Sequence, residues 1–145
     1  MTVLVVDDDA AIRLLCRVNL KLEGHRVGEA GTLDEARTAL AAEQVDVVLL
    51  DLHVGSERGL DLLRELRRDR PEVAVALLTG SPNEGNSPDD PAADAVISKP
   101  FAVEELGETV NRLAARSANG ARWENLPVPP DPLHWSAART GAPRL

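Results

Sequence analysis

The sequence predicts an α/β fold in which helices cover a parallel sheet. Short apolar runs rich in β-branched residues alternate with longer segments of helical period, and this alternation is typical of strands joined by crossover helices. Several runs end in a carboxylate, hydroxyl or lysine side chain, as expected when a ligand site lies at the carboxyl edge of such a sheet. With 145 residues and 43% hydrophobic content, the chain has room for one domain and a tail.

Five strands are predicted from the apolar runs, and the second of them is the weakest. They cover positions 3–6, 26–30, 45–50, 73–78 and 95–98. The third run leads directly into Asp51 and the fourth into Thr79. Because helical segments separate most of these runs, the strands are expected to lie parallel to one another.

Four helices are predicted from apolar residues at helical spacing. The inward residues are expected to be Ile12, Leu15, Cys16 and Leu22, with Leu14 and Val18 alongside, in the first; Leu33, Ala36 and Leu40 in the second; Leu60, Leu63 and Leu66 in the third; and Val103, Leu106, Val110 and Leu113 in the last. The second helix opens with Thr32-Leu-Asp-Glu35, a capping box whose hydroxyl and carboxylate accept from free backbone N–H groups. Pro71 is expected to close the third helix.

The segment 81–94 interrupts the alternation. A helix is due between the fourth and fifth strands, but this segment contains three prolines, one glycine and no apolar stripe, so a regular helix is not predicted there. We assign residues 1–116 to a single domain. Residues 117–145 are rich in Pro, Ala and Gly and carry Trp123 and Trp135. We expect them to form a flexible tail without an output domain.

Composition argues against several classes of function. The net charge is −8 and aromatic residues make up 2% of the chain, which disfavours nucleic-acid binding by phosphate neutralisation or base stacking. No apolar run approaches the roughly 20 residues that a membrane helix needs, and no signal peptide opens the chain. The single cysteine, Cys16, cannot form an internal disulfide and is expected to pack in the core. These features predict a cytoplasmic protein.

Functional side chains follow four of the predicted strands. Asp7 and Asp8, Asp51, Thr79, and Lys99 stand at or just after strand ends, so a parallel sheet would gather them at one edge. Two carboxylates ~4 Å apart repel by about 4 kcal/mol at an effective dielectric constant of about 20, and such a group therefore needs protonation or a cation. Oxygen ligands of this kind suit Mg²⁺. A lysine and a hydroxyl opposite a metal form the kind of clamp that holds a transferring phosphoryl group.

The motifs that carry these residues resemble the signatures of a known family. Val-Val-Asp7-Asp8-Asp9, Leu-Leu-Asp51-Leu, Leu-Leu-Thr79-Gly80 and Ser-Lys99-Pro100-Phe101 occur in that order. Together they resemble the four signatures of response-regulator receiver domains, and the resemblance extends over about positions 2–115. It implies a flavodoxin-like, doubly wound sheet in the strand order 2-1-3-4-5, with the helix between the fourth and fifth strands degenerate or missing.

The resemblance also implies a role for each residue of the site. Asp51 would be the phosphoacceptor, while Thr79, Gly80 and Lys99 would contact the phosphoryl group. Mg²⁺, or Mn²⁺ in its place, would be bound by Asp8 directly, by Asp7 mainly through water, by Asp51, and by the backbone carbonyl of His53. Pro100 would hold an unusual turn, often a cis peptide, that aims the lysine inward.

The resemblance implies phosphorelay signalling rather than catalysis on a separate substrate. A histidine kinase or a phosphotransfer protein would supply the phosphoryl group. Output would come through protein contact or through a phosphate sink, because no further domain is recognised after Ala115. The chain is expected to be a monomer or a weak homodimer.

Several positions depart from the family pattern. Gly55 stands where proline is usual, whereas Gly59 matches the usual glycine. Val96 replaces the aromatic switch residue three positions before Lys99, and the segment 81–94 does not resemble a helix. The usual read-out is therefore in doubt. We advance the hypothesis that phosphoryl binding orders the segment 81–94, which amide exchange with a phosphoryl mimic would test.

Two other functions are compatible with parts of the pattern. A pseudo-receiver, which binds partners without phosphorylation, would explain Val96 and the missing helix. A phosphatase of the haloacid dehalogenase kind also uses an aspartate nucleophile with Mg²⁺, but it requires an acid/base aspartate where this chain has His53. Asp9 admits a simpler interpretation, namely a cap at a helix N-terminus.

Overall fold

The computed structural model describes residues 1–80 and 91–125. Its main sheet has five strands, all paired in parallel, in the order β2-β1-β3-β6-β7. These strands are β1 (Thr2–Val6), β2 (Arg26–Ala30), β3 (Val47–Asp51), β6 (Ala74–Thr79) and β7 (Ala95–Ser98). Counted along the chain, the order is the predicted 2-1-3-4-5, so the predicted doubly wound sheet is confirmed.

Helices cover both faces of this sheet. They are α1 (Ala10–Leu22), α2 (Leu33–Ala42), α3 (Gly59–Asp69) and α4 (Val103–Asn125). The α2 and α3 side chains pack in one hydrophobic cluster with alternate residues of the central strands, and those of α1 and α4 pack in a second cluster on the opposite face. The sheet is thus buried on both sides, as a parallel sheet requires. None of the described helices is long and apolar enough to cross a membrane.

The last helix runs past position 116, where the sequence analysis places the end of the domain. Leu106, Val110 and Leu113 are buried as predicted, and α4 then continues to Asn125. Trp123 falls within this helix, whereas Trp135 and the rest of the proposed tail, 126–145, lie outside the described residues.

Side-chain caps begin α1 and α2. The Asp9 carboxylate accepts from the backbone N–H of Ala11, and the Thr32 hydroxyl accepts from the N–H of Glu35, as the capping box predicts. The return bond differs from the expected one, because the Glu35 carboxylate accepts from the N–H of Gly31, one residue before the cap. The Thr32 bond satisfies a backbone donor that the helix leaves free, and the Glu35 bond ties the helix to the residue before its cap.

The inward face predicted for α1 is partly wrong. Cys16 is buried as expected, and its partner in the core is Leu20. Leu15 and Leu22 are exposed instead, as are Leu14 and Val18. Burial raises the pKa of the Cys16 thiol to about 12, with a smaller contribution from the charge of Asp7, so this thiol is a packing group rather than a nucleophile.

A short hairpin between β3 and α3 was not predicted. The strands β4 (His53–Val54) and β5 (Glu57–Arg58) pair in antiparallel fashion around a two-residue turn. Gly55 opens this turn with φ of +64°, a conformation that favours glycine and that proline, fixed near −65°, cannot adopt. The departure from the family pattern at this position therefore has a local structural reason.

The connection from β6 to β7 is described only at its end. Residues 81–90, on which most of the missing-helix prediction falls, lie outside the described residues, and residues 91–94 contain no helix. Arg67 of α3 donates to the Ala92 carbonyl at 3.0 Å and pairs with Asp94 at 2.7 Å. The same carboxylate oxygen of Asp94 accepts from the N–H of Val75 at 2.8 Å. These bonds anchor the chain just before β7.

Candidate functional site

The carboxyl edge of the sheet brings the predicted site residues together. Asp7 follows β1, Asp51 ends β3, Thr79 ends β6 and Lys99 follows β7. The register places Asp51 opposite Leu78 and Thr79 opposite Ser98 on neighbouring strands. Parallel pairing alone therefore gathers groups that are distant in the chain, as expected from the sequence.

Lys99 joins the two buried carboxylates. Its Nζ lies 3.0 Å from Asp7 Oδ2 and 3.5 Å from Asp51 Oδ1. The Asp7 side chain is 1% exposed and that of Asp51 is 12% exposed. Buried carboxylates of this kind require a counter-charge, and the lysine supplies one to both. The Lys99–Pro100 peptide is cis, as the family resemblance implies.

The electrostatics of the cluster favour a further cation. Burial raises the pKa of Asp51, the charge of Asp7 raises it further, and Lys99 partly offsets both. Burial alone would lower the pKa of Lys99, but its hydrogen bond to Asp7 and the charges of Asp51 and Asp7 raise that pKa above its usual value. One ammonium thus does not fully compensate the carboxylates.

Asp7, Asp8 and Asp51 form a group that fits a hard divalent cation. One carboxylate oxygen from each lies within 4.8 Å of the others. Asp7 and Asp51 are buried, whereas Asp8 is exposed to solvent. An oxygen-only set with an open side suits Mg²⁺, which keeps several waters and shares its site with phosphate. The residues present therefore fit the predicted metal.

The remaining predicted residues lie on strands or in the loops that follow them. Thr79 is buried, and its carbonyl accepts from the N–H of Lys99 at 2.7 Å. Gly80 follows it and is exposed. His53 lies two residues after the acceptor with an exposed side chain, and its N–H reaches Asp51 Oδ1 only at 3.5 Å. Val96, in place of the aromatic switch residue, is 44% exposed on β7.

Gly59 fixes the backbone of the acceptor. Its N–H donates to the Leu52 carbonyl at 2.7 Å. A Cβ at this position would overlap the Asp51 carbonyl oxygen, far inside van der Waals contact. Only glycine permits α3 to begin this close to the end of β3.

Arg13 also contacts the site, and the sequence analysis did not identify it. Its Nη1 donates to the Asp7 carbonyl oxygen at 2.7 Å, and its Nε pairs with Glu29 Oε1 at 3.2 Å. Arg13 sits on the first turns of α1, where a charged residue usually indicates a solvated face. The only sequence signal is its position, one helical turn after the acidic run.

The model of the family described as the response regulator receiver domain matches residues 3–111. The chain belongs to this family. The match covers every strand of the main sheet that the structure describes, together with the site, so the receiver-domain resemblance is confirmed.

Curated relatives support the assignment. The chain is 31% identical over 123 residues to the phosphate regulon transcriptional regulatory protein PhoB of Pseudomonas aeruginosa, covering 82% of this chain and 54% of that protein. It is 34% identical over 133 residues to the KDP operon transcriptional regulatory protein KdpE of Escherichia coli, covering 90% of this chain and 56% of that one. The chain thus spans about half the length of these curated relatives.

Solved structures agree on the fold. The receiver domain of NtrX from Brucella abortus superposes with a TM-score of 0.72 at 32% identity, covering 78% of this chain and 98% of that one. A CheY-like response regulator receiver domain protein from Methanospirillum hungatei gives a TM-score of 0.74 at 26% identity, covering 82% of this chain and 97% of that one. Both chains correspond in extent to this receiver domain alone.

Proposed function

We propose that this receiver domain accepts a phosphoryl group on Asp51 in a reaction that depends on Mg²⁺. The observation that carries the proposal is the position of Lys99 Nζ, 3.0 Å from Asp7 and 3.5 Å from Asp51, beside three carboxylates within 4.8 Å of one another. A carboxylate flanked by a fixed cation and a cation-binding group is placed to act as a nucleophile towards phosphorus.

The chain's own residues support each part of the transfer. A carboxylate oxygen of Asp51 attacks phosphorus, and the bond from phosphorus to the donor's nitrogen or oxygen breaks as the new oxygen–phosphorus bond forms. The donor atom leaves with the electron pair of the broken bond. Lys99 and Thr79 would stabilise the transferring oxygens, while Asp8, Asp7, Asp51 and the His53 carbonyl would hold Mg²⁺. The bound ion supplies positive charge against the phosphoryl group and the acceptor.

The proposal extends to partners. A histidine kinase or a phosphotransfer protein would be the donor, in the cytoplasm, and output would pass to a protein target or end as a phosphate sink. We expect no catalysis on a separate substrate beyond transfer to Asp51 and loss of the phosphoryl group from it. Direct binding of nucleic acid is not expected for this chain, whose net charge is −8.

Intact-protein mass spectrometry tests the chemistry. The native chain is incubated with acetyl phosphate, with Mg²⁺ or with a chelator. We expect a gain of one phosphoryl group only with the metal. Asp51→Asn should gain none. Asp61→Asn is the matched control, because Asp61 is an exposed aspartate on α3 that pairs with Arg64 at 3.5 Å. It should be labelled like the native chain.

The alternative is a pseudo-receiver, which the exposed Val96 favours because the usual aromatic read-out is missing. The same experiment separates the two functions. Absence of labelling on the native chain, under conditions that label another receiver domain, would favour the pseudo-receiver and reject the phosphoacceptor.

A further inference from the structure

Arg13 is held at the point where the acidic run leaves the sheet. Asp7 continues the pairing of β1 with β2, because its N–H donates to the Ala30 carbonyl at 3.1 Å. Its carbonyl oxygen accepts from Arg13 Nη1 at 2.7 Å. That carbonyl belongs to the peptide group that joins Asp7 to Asp8. The guanidinium therefore holds the plane of the peptide from which Asp8 extends.

The two carboxylate oxygens of Asp7 are already engaged elsewhere. Oδ1 accepts from the N–H of Asp9 at 2.9 Å, and Oδ2 accepts from Lys99 Nζ at 3.0 Å. Asp7 is thus fixed on its side chain and on both of its backbone polar groups. Asp8 has no comparable side-chain support among the hydrogen bonds of the described residues. Its orientation depends on the peptide that Arg13 holds.

Arg13 is itself fixed by its surroundings. Glu29 of β2 pairs with Arg13 at 3.2 Å and with Arg17 at 3.3 Å. The Arg13 side chain is 21% exposed and that of Glu29 is 28% exposed. A Cβ at Gly31 would lie 3.1 Å from Arg13 Nη1, so the glycine leaves room for the guanidinium. A side chain confined in this way is pre-organised, which limits the entropy lost in each bond.

The charge of Arg13 would by itself oppose a cation nearby. Two like charges repel at any dielectric constant, and Glu29 offsets this repulsion by pairing with the guanidinium. Arg13 would therefore affect the affinity for a cation in two opposite ways: it would raise the affinity by orienting Asp8 and lower it by its positive charge. Removal of the side chain weakens cation binding if geometry dominates and strengthens it if charge dominates.

We propose that Arg13 is a positioning residue for the metal site, which orients Asp8 by holding the Asp7–Asp8 peptide. This inference rests on the proposed function, because it assigns to Arg13 a part in binding the same Mg²⁺. Groups that orient metal ligands without touching the metal typically change affinity by about 10–100-fold when they are removed. The planar guanidinium of arginine can donate to Asp7 and Glu29 at the same time. The compact ammonium of a lysine is less suited to contact both.

Calorimetric titration of the unphosphorylated chain with Mg²⁺ tests the proposal. We expect Arg13→Ala to raise the Kd about tenfold or more and Arg13→Lys to raise it by a smaller factor. Arg17→Ala is the matched control, since Arg17 pairs with the same Glu29 and makes no hydrogen bond to Asp7 within the part of the chain that the structure describes. Its Kd should stay within about twofold of the native value. A urea midpoint for each variant establishes that it is folded.

The outcomes are distinct. An unchanged or lower Kd in a folded Arg13→Ala variant overturns the positioning role. Equal increases of the Kd in Arg13→Ala and Arg17→Ala overturn it as well, because both arginines pair with Glu29 and only Arg13 is proposed to act through the Asp7 carbonyl. If Arg13→Ala does not fold, the test rests on Arg13→Lys. A native-like Kd for Mg²⁺ in that variant overturns the proposal that the arginine guanidinium positions Asp8. Failure of the native chain to bind Mg²⁺ rejects the proposed function itself and this role with it.

Discussion

The helices α1 and α3 are held to the same sheet in different ways. On α3, four leucines are buried against the core, and their outer neighbours are charged. On α1, only Cys16 and Leu20 are buried, while Val18 is 47% exposed and Leu22 is 80% exposed. Four buried leucines thus hold α3, whereas α1 combines two buried side chains with polar contacts at its first turns.

The difference shows that apolar residues at helical spacing in the sequence are not necessarily buried in the structure. The Asp9 cap and the Arg13 bond to the Asp7 carbonyl both hold the N-terminal turns of α1. In this position of the helix, Leu14 and Val18 are exposed. At the start of α3, by contrast, Arg58 at the N-cap makes no side-chain cap bond.

The same substitution in both helices should therefore have very different effects on stability. Leu63→Ala in α3 is expected to lower the free energy of unfolding by about 2–5 kcal/mol, because Leu63 is fully buried and its removal leaves a cavity. Leu14→Ala in α1, where the side chain is 49% exposed, should change it by about 0.5 kcal/mol or less. Urea unfolding followed by circular dichroism measures both. Similar losses in the two variants would contradict the comparison.

The start of α3 should tolerate no side chain at position 59. Gly59→Ala is expected to cost about 1–3 kcal/mol, because the new Cβ would overlap the Asp51 carbonyl oxygen. The same urea titration measures this loss. Gly28→Ala is the control, since a Cβ there meets Leu4 at an ordinary 3.5 Å, and its free energy of unfolding should remain near the native value. A native-like Gly59→Ala would show that β3 and α3 separate easily.

The N-terminus of α3 lacks the side-chain cap that Asp9 gives to α1, so a cap can be added there by substitution. Arg58→Asp is expected to stabilise the chain by about 1 kcal/mol, since an aspartate at the N-cap can accept from free N–H groups and suits the positive end of the helix. Arg58→Ala removes the charge without adding the acceptor and serves as the control. Thermal unfolding should rank Asp above Ala. Equal melting temperatures would mean that the helix start cannot adopt cap geometry.

The outer polar contacts of α3 should matter least. Glu65 pairs with Arg37 of α2 at 2.7 Å, and this hydrogen bond lowers the pKa of Glu65. A lowered pKa contributes stability above the unfolded-state value, about 4.3, and this stability disappears as the pH falls through the folded-state pKa. Glu65→Gln should therefore lower the free energy of unfolding by no more than about 1 kcal/mol at pH 7. At a pH low enough to protonate Glu65 in both the folded and the unfolded chain, the substitution should have no measurable effect. A loss of stability that grows as the pH falls would contradict a stabilising role for the ionised Glu65 carboxylate.

Part of this molecule could be read directly from the sequence. The five strands of the main sheet, the Thr32 cap and the stripe of α3 were predicted because they depend on local pattern and periodicity. The site residues also carried a local signal, since Asp7, Asp51 and Lys99 each follow a strand. Their convergence needed only the assumption of a parallel sheet.

Tertiary structure alone decided the remaining features. The rotation of α1, the hairpin at 53–58 and the contact of Gly59 with the Asp51 carbonyl were not predicted. Arg13 could not be separated from other surface arginines until its bond to the Asp7 carbonyl was seen. Sequence pattern records which side chains are apolar and how they repeat. Pattern alone does not show how each element packs in the folded chain or which polar groups meet there, so these features required the folded structure.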